Sequence, residues 1–277
     1  MRSSAPKLIA SYLSHGLNIG LVLALLTFGL ATARLNGSML PDSIAFSPDA
    51  VRADDGGLHH TWKGGVAKVT GQLEDHSLYA LGLLELFKTT GDLRWFDWAV
   101  SLWDHIVAHY WEEDEAIFYS TSNRATPLVT RPRSDFDSAM PSDNGSAALL
   151  GIWLARHHIR PKAADKAHAV LRRCRSMMER GPTGFGSFWQ TAEILLSAPS
   201  EIVIVGDAEE RGAFERRVAA RFLPSTVVMS SPGAGHHPLM EGRGDATALY
   251  LCQGGVCQNP IQDPADLDAQ LPGLSAS

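Results

Sequence analysis

The chain has 277 residues, a net charge of −6 and an isoelectric point near 6.0. Its length and its 45% of hydrophobic residues are sufficient to bury a large core in one or two domains. The acidic balance and the absence of a dense lysine and arginine stripe exclude a nucleic-acid-binding protein. Three cysteines are too few for a disulfide scaffold.

An uncharged apolar run, GLNIGLVLALLTFGLATA, occupies residues 16–33. The upstream Arg2 and Lys7 and the small residues at 31–33 are typical of a signal peptide. As a membrane span or anchor, the run is at the short limit of length. A buried helix of a helical domain is the third interpretation.

Between residues 58 and 199, apolar residues recur at three- and four-residue steps, which predicts helices. Leu78, Leu81 and Leu84 fall on one face of the first helix, and Gly91 ends it. We predict helices at 73–89, 94–111, 146–158, 162–180 and 185–198, the first four forming two hairpins. Extended segments are expected at 58–71, turning at Gly64–Gly65, and at 116–121, with a long irregular loop at 123–146.

The periodicity changes after Pro199. The β-branched run at 201–206 is typical of a buried strand, and a helix at 208–224 and a strand at 226–231 follow. This order predicts a right-handed parallel βαβ unit, with a third strand at 246–252. The first strand lacks a G-x-G-x-x-G sequence, so we reject nucleotide binding.

Four segments in a fixed order carry a family resemblance. They are GQLEDHSLYALGLLELFKTTGDLRWFDWA, SDFDSAMPSDNGSAALLGIWLA, EIVIVGD and ALYLCQGGVCQNPIQDP. Together they resemble the C-terminal part of the spermatogenesis-associated protein 20-like family of thioredoxin-domain-containing proteins. The resemblance implies an (α/α)6 barrel similar to six-hairpin glycosidases and N-acylglucosamine 2-epimerases. It also favours a buried helix at 16–33, and so a cytoplasmic protein over a membrane-anchored or exported one.

The chain holds about half of the twelve helices of such a barrel, and it has no thioredoxin segment or C-x-x-C motif. We therefore predict a mainly α fold, an incomplete (α/α)6 toroid (six-hairpin glycosidase-like) followed by a small parallel βαβ element. A redox role of the thioredoxin type does not carry over. The predicted divisions are 1–57 for the N-terminal helix, signal or anchor and its loop, 58–199 for the half-toroid, and 200–277 for the α/β element.

The resemblance places the ligand site in a funnel lined by loops and helix starts. Glycoside chemistry needs two facing carboxyl groups, but adjacent helical residues point roughly 100° apart. Glu74 and Asp75 are therefore not expected to face one sugar together, and Asp75 needs a partner such as Asp137. We predict Asp75 and His76 as catalytic residues. The predicted substrate-binding residues are Glu74, Arg131, Asp137, Ser142 and Asn144.

Structural roles compete with these assignments. Asp75 is also placed to cap its helix, and the P-S-D-N-G-S sequence at 141–146 is typical of a turn and an N-cap. Cys252 and Cys257 flank a glycine turn. Three interpretations are open: a disulfide in an exported protein, half of a metal site, or packed thiols, which are expected in a reducing compartment. No histidine spacing completes a metal site, so we predict neither a metal nor a cofactor.

Two functions follow from the sequence. The first is a six-hairpin glycosidase-like protein that binds or acts on a carbohydrate or similar polar metabolite. The alternative is a non-catalytic interaction module, a truncated or split paralogue. Its exposed apolar helix faces would pair with another copy, with a missing half-barrel or, through residues 16–33, with a membrane.

Overall fold

The structure, a computed structural model, describes residues 48–270 apart from 64–65, 127–128, 234 and 245. The apolar run at 16–33 lies outside these residues. No helix in the described part of the chain is both long enough and apolar enough to cross a membrane. The described fold is mainly α, as predicted.

Five helices of more than ten residues form the first part of the described chain. α1 and α2 form one hairpin and α3 and α4 a second, which confirms the predicted hairpins to within three residues at each boundary. The helices are α1 (Leu73–Thr90), α2 (Leu93–His109), α3 (Asp143–Arg156), α4 (Ala163–Arg180) and α5 (Gly186–Leu196).

Helices α1 and α3 lie side by side and run in the same direction. Near their starts, the buried hydroxyls of Ser77 and Ser146 are 2.8 Å apart. Near their ends, the ring centroids of Phe87 and His157 are 6.0 Å apart. Because start meets start and end meets end, the two helices are parallel.

Helix α5 follows the same direction as α3. The Asp137 carboxylate accepts hydrogen bonds of 2.8 Å from the backbone N–H groups of both Ser142 and Ser187, at the two helix starts. At the other end, Arg156 donates to the carbonyl oxygens of Ile194 and, at 2.6 Å, Ser197. Three parallel helices therefore begin at one end of the molecule.

Two small antiparallel ribbons lie around these helices. β1 (His59–Lys63) pairs with β2 (Val66–Thr70), and β3 (Trp111–Glu112) pairs with β4 (Ile117–Phe118). They confirm the predicted extended segments at 58–71 and 116–121. The predicted turn at Gly64–Gly65 lies outside the described residues.

The C-terminal part is a four-stranded sheet in the order β6-β5-β7-β8, with α6 packed on it. β5 and β6 are parallel, as the predicted βαβ unit requires, and β7 is antiparallel to β5. The elements are β5 (Ser200–Val205), α6 (Ala208–Ala219), β6 (Thr226–Ser231), β7 (Ala248–Gln253), β8 (Val256–Cys257) and the short α7 (Leu267–Gln270).

The central strand β5 is buried on both faces. Val203 and Val205 join the core of helices α1–α5, while Ile202 and Ile204 pack with residues of α6, including Phe214. Burial on two faces explains why this strand is a continuous apolar run rather than an alternating one. The domain boundaries after residues 57 and 199 remain predictions.

Cys252 and Cys257 form a disulfide across the β7–β8 hairpin. The two residues are direct partners in the strand register, which brings their side chains together. Of the three interpretations that the sequence leaves open, the structure therefore shows the disulfide. Cys174 is a buried free thiol.

The turn between α1 and α2 gives a test of the packing between helices and sheet. Gly91 has φ 70°, and a Cβ there would clash with the carbonyl oxygen of Ser230 in β6. We expect Gly91→Ala to cost about 1 kcal/mol for the left-handed backbone and about 1–3 kcal/mol more for the overlap. Chemical denaturation measures both.

Gly242 is the matched control for this substitution, since its φ is 72° and nothing lies within 4 Å of a Cβ placed there. Gly242→Ala should show only the backbone cost of about 1 kcal/mol. Equal losses in the two variants would contradict the close approach of α1 to β6.

Candidate functional site

The start of α1 is a capping box built on Asp75. Its Oδ2 atom accepts a hydrogen bond of 2.7 Å from the backbone N–H of Gln72, the N-cap residue. Glu74 and Asp75 both lie in the first turn, where the helix dipole favours negative charge. The capping interpretation of Asp75 is therefore confirmed.

The β1–β2 hairpin brings a histidine onto the same carboxylate. His60 Nδ1 lies 2.7 Å from Asp75 Oδ2, with the His60 side chain 29% exposed and the Asp75 side chain 1% exposed. Asp75 Oδ2 thus has two partners. Its Oδ1 atom is buried and has no hydrogen-bond partner among the described residues.

A third carboxylate comes from the start of α3. Asp143 is the first residue of that helix and is 6% exposed. Burial raises its pKa to about 6, and the charge of Glu74 adds to this, while a hydrogen bond with Ser120 opposes it. Burial also raises the pKa of Asp75, to which the charge of Asp143 contributes. The carboxylates of the two helix starts therefore interact.

We call His60, Glu74, Asp75 and Asp143 the acidic cluster. The first three each place one nitrogen or oxygen atom so that all three atoms lie within 4.8 Å of one another. The divergence of neighbouring residues applies to the bonds that leave the helix, but side-chain length lets the terminal oxygens approach each other. The cluster therefore presents converging donor atoms at the shared helix starts.

His76, the second predicted catalytic residue, is held by the backbone on both sides of its ring. Its Nε2 atom accepts a hydrogen bond of 3.0 Å from the N–H of Leu58, and its Nδ1 atom lies 2.6 Å from the carbonyl oxygen of Gln72. Burial lowers the pKa of His76 to about 4, so the ring is neutral at pH 7. Neither nitrogen can exchange a proton without breaking one of these bonds.

Three of the predicted substrate-binding residues build the framework beneath the helix starts. Ser142 is the N-cap of α3, its hydroxyl accepting from Gly145 N–H at 3.1 Å. Asn144 exchanges two hydrogen bonds of 2.9 Å with the backbone of Phe118. Asp137 joins the starts of α3 and α5 as described above. Most of the polar atoms of these side chains are already engaged within the protein.

Arg131 lies apart from the acidic cluster. Its guanidinium donates to the carbonyl oxygen of Thr121 at 2.6 Å and stacks 4.3 Å from the ring of Tyr119. It lines a cavity of about 380 Å³ whose other lining residues include Glu112 and Arg133 but no member of the cluster. Of the predicted site residues, only Glu74 and Asp75 are thus members of the acidic cluster.

Sequence reasoning missed two members of the cluster, His60 and Asp143. Neighbouring side chains of a strand point to opposite faces, so the pattern at 58–71 separates His59 from His60 but does not show which of them lies over α1. The position of Asp143 at the head of a helix was equally visible in the sequence, but the prediction named its neighbours Ser142 and Asn144 instead.

Comparison with known proteins identifies relatives that are similar in sequence. The human protein named spermatogenesis-associated protein 20 is 25% identical over 209 residues, which cover 71% of this chain and 27% of the relative. The rat protein of that name is 26% identical over 211 residues. The chain is similar to spermatogenesis-associated protein 20. This confirms the resemblance inferred from the four segments, although no protein-family model matches the sequence.

The relationship is distant and partial. The chain spans about a quarter of the length of the curated relatives it matches. The name of these relatives states no reaction, so the chemistry of this chain has to be argued from its own residues.

The buried charge of Asp143 gives a pH-dependent stability test. Its pKa is raised above the usual 3.8 to about 6, so the folded protein holds this proton more tightly than the unfolded chain. The stability that protonated Asp143 contributes is fully present below about pH 4 and is lost as the pH rises through 6. We expect Asp143→Asn to raise the free energy of unfolding by about 1–3 kcal/mol at pH 8 and by little at pH 4.

Asp137→Asn is the comparison, because the Asp137 carboxylate accepts hydrogen bonds from Ser142 and Ser187. That variant should lose stability, since an amide cannot accept with both terminal atoms. A loss of stability in Asp143→Asn at pH 8 would contradict the conclusion that burial of its charge is only partly compensated.

Proposed function

We propose that the chain binds a small polar ligand of the carbohydrate class at the acidic cluster. One observation carries this proposal: Asp75 and Asp143 are buried carboxylates at the starts of two parallel helices, and their charges interact. Buried charges are costly unless they are compensated, and they concentrate at functional sites. A ligand rich in hydroxyl groups would donate hydrogen bonds to these oxygens.

The proposed architecture is half of an (α/α)6 toroid. In this proposal α1, α3 and α5 are its inner helices, because they are parallel and begin at one end, and α2 and α4 are outer helices. The mouth of the toroid is then the end that carries the acidic cluster. The division at residues 57 and 199 belongs to the same proposal. A cytoplasmic location is proposed from the family resemblance alone, and the Cys252–Cys257 disulfide, a bond typical of oxidising compartments, counts against it.

For any acid–base step, we propose Asp75 and Asp143 as the pair. Asp137, the partner expected from sequence, accepts hydrogen bonds from Ser142 and Ser187 with both of its oxygens. The pKa of Asp143, raised to about 6, leaves it able to carry or release a proton near neutral pH. His76 is left out of the pair because both of its ring nitrogens are bonded to the backbone.

The proposal is tested by titrating the full chain with D-glucose and N-acetyl-D-glucosamine, with EDTA present, by calorimetry and ligand-observed NMR. We expect binding of at least one sugar, and a loss of about tenfold in affinity in Asp143→Asn, as for one hydrogen bond to a charged group. Asp207→Asn is the control, because Asp207 is the N-cap of α6, outside the helices that form the acidic cluster, and asparagine caps a helix equally well. It should retain the affinity once its fold is confirmed by circular dichroism. Failure of both sugars to bind, or equal affinity in Asp143→Asn, would count against the proposal.

A second candidate function, the non-catalytic interaction module, is supported by the outer face of α5. Leu196 and Trp189 are seven residues apart on this helix, hence on one face, and are 83% and 44% exposed. α5 is the last of the three parallel helices, where the next hairpin of a complete toroid would pack. We propose that this face pairs with another copy of the chain or with a separately encoded half-barrel.

Light scattering distinguishes this candidate. We expect the purified chain to self-associate, and Leu196→Asp to shift it toward monomer with little change in stability, because the side chain is exposed. Val66→Asp is the control, since Val66 is an exposed apolar residue of β2, away from α5. A chain that is monomeric at all concentrations and co-purifies with no partner would remove the basis of this candidate.

A further inference from the structure

We propose that His60, Glu74 and Asp75 bind a divalent transition-metal ion such as Zn²⁺ or Mn²⁺. The prediction from sequence was that the chain holds no metal. The inference rests on the proposed function in one respect, that the ion lies at the same site and offers its open coordination positions to the polar ligand.

The arrangement of donor atoms is the first support. One atom from each of the three side chains lies within 4.8 Å of the other two. Metal–ligand bonds of about 2.0–2.2 Å place two ligands of one ion at most about 4.4 Å apart. Tetrahedral ligands of such an ion lie about 3.3–3.6 Å apart, so the three atoms have to draw together by at most about 1.5 Å. Glu74 and His60 are both half-buried, which leaves their side chains room for this adjustment.

The unpartnered oxygen of Asp75 is the second and independent support. Asp75 is 1% exposed, and its Oδ1 atom has no hydrogen-bond donor among the described residues. A buried acceptor without a partner costs about 1–3 kcal/mol. The cap and the histidine both use Oδ2, so Oδ1 remains available for a cation without loss of the capping bond.

The charge of the site favours a cation of high valence. Glu74 and Asp75 lie together in the first turn of α1, and Asp143 adds a third carboxylate from α3. Burial raises the pKa values of Asp75 and Asp143, and the repulsion between these carboxylates adds to the effect. The dipole of α1 opposes a cation at its start with an effective charge of about +0.5. Two carboxylate ligands outweigh that charge.

The ligand types indicate which ions fit. An imidazole nitrogen suits Zn²⁺ and similar transition metals, whereas Mg²⁺ and Ca²⁺ prefer oxygen ligands only, and carboxylates suit Mn²⁺. Three protein ligands leave at least one coordination position open, the pattern of catalytic rather than structural zinc sites. Metal ligands bind in their deprotonated form, so affinity for the ion should fall at acid pH.

One competing arrangement of histidines has to be separated from this site. His105 and His109 lie one turn apart on α2, with ring centroids 4.6 Å apart. Neither belongs to the group of three donor residues found among the described residues. Two histidines without a third ligand bind Zn²⁺ weakly, so the experiment includes removal of this pair.

The test is calorimetric titration of the full chain, stripped with EDTA and dialysed, with ZnCl₂, MnCl₂ and MgCl₂ at pH 7.5. We expect about one Zn²⁺ or Mn²⁺ per chain and much weaker binding of Mg²⁺. Loss of a direct ligand should weaken binding by at least about 100-fold, the upper end of the effect of outer-shell partners. This loss is expected in both His60→Gln and Glu74→Gln.

Two control variants and a fold check keep the result interpretable. His59→Gln changes the neighbouring histidine of β1, and His109→Gln removes the competing pair, so both should leave the affinity unchanged. Asp75→Asn removes the helix cap as well as a ligand, and its fold is compared by circular dichroism with that of His60→Gln. Absence of Zn²⁺ and Mn²⁺ binding, or loss of binding in His109→Gln but not in His60→Gln, would overturn the inference.

The metal site and the sugar site can fail separately. Ion binding that depends on His60, together with no sugar binding with or without Zn²⁺, would support the metal site and reject the proposed function. Sugar binding in EDTA that depends on Asp143, with no ion binding, would support the proposed function and reject the metal site.

Discussion

The Asp137 carboxylate fixes the end of the molecule on which the candidate site depends. It accepts hydrogen bonds from the backbone N–H groups at the starts of α3 and α5, and one more from the hydroxyl of Ser187. Two orphan N–H groups of different helices are thereby satisfied by one side chain, so the two starts stay level. The contact between Ser77 and Ser146 sets α1 level with α3. That contact brings Glu74 and Asp75 near Asp143, while Asp137 holds the start of the helix that carries Asp143.

The alignment of the helix starts also lowers the free-energy cost of burying these carboxylates. Each start is the positive end of a helix dipole, which stabilises a nearby negative charge by about 0.3–1 kcal/mol. That gain is smaller than the cost of burial, since the pKa values of Asp75 and Asp143 are still raised. Sites that carry such a cost at neutral pH are candidates for function, because a core built for stability alone would replace Asp143 with a neutral residue.

The sequence predicted local structure well and long-range contacts poorly, for a physical reason. Apolar periodicity reports which face of a helix is buried, and the β-branched run of β5 reports burial on both faces, so these elements were visible. The contact of His60 with Asp75 depends on how the β1–β2 hairpin folds over α1, which no local pattern encodes. The choice between Asp137 and Asp143 had the same difficulty. Asp137 precedes α3, and Asp143 is its first residue. Only the packing shows that Asp137 accepts hydrogen bonds from two helix starts, whereas Asp143 lies near Glu74.

The geometry of Glu74 and Asp75 separates the two ligands considered for this site. A sugar is several ångströms wide, and an acid–base pair must approach it from opposite sides, which neighbouring residues of one helix cannot do. Asp143, from a second helix, is better placed for that role. A metal ion makes the reverse demand, because its ligands must converge to about 3.3–3.6 Å from one another in a tetrahedral site. The donor atoms of Glu74, Asp75 and His60 already lie within 4.8 Å of one another. The adjacency that makes Glu74 and Asp75 unsuitable as a pair for a sugar therefore suits them to a cation.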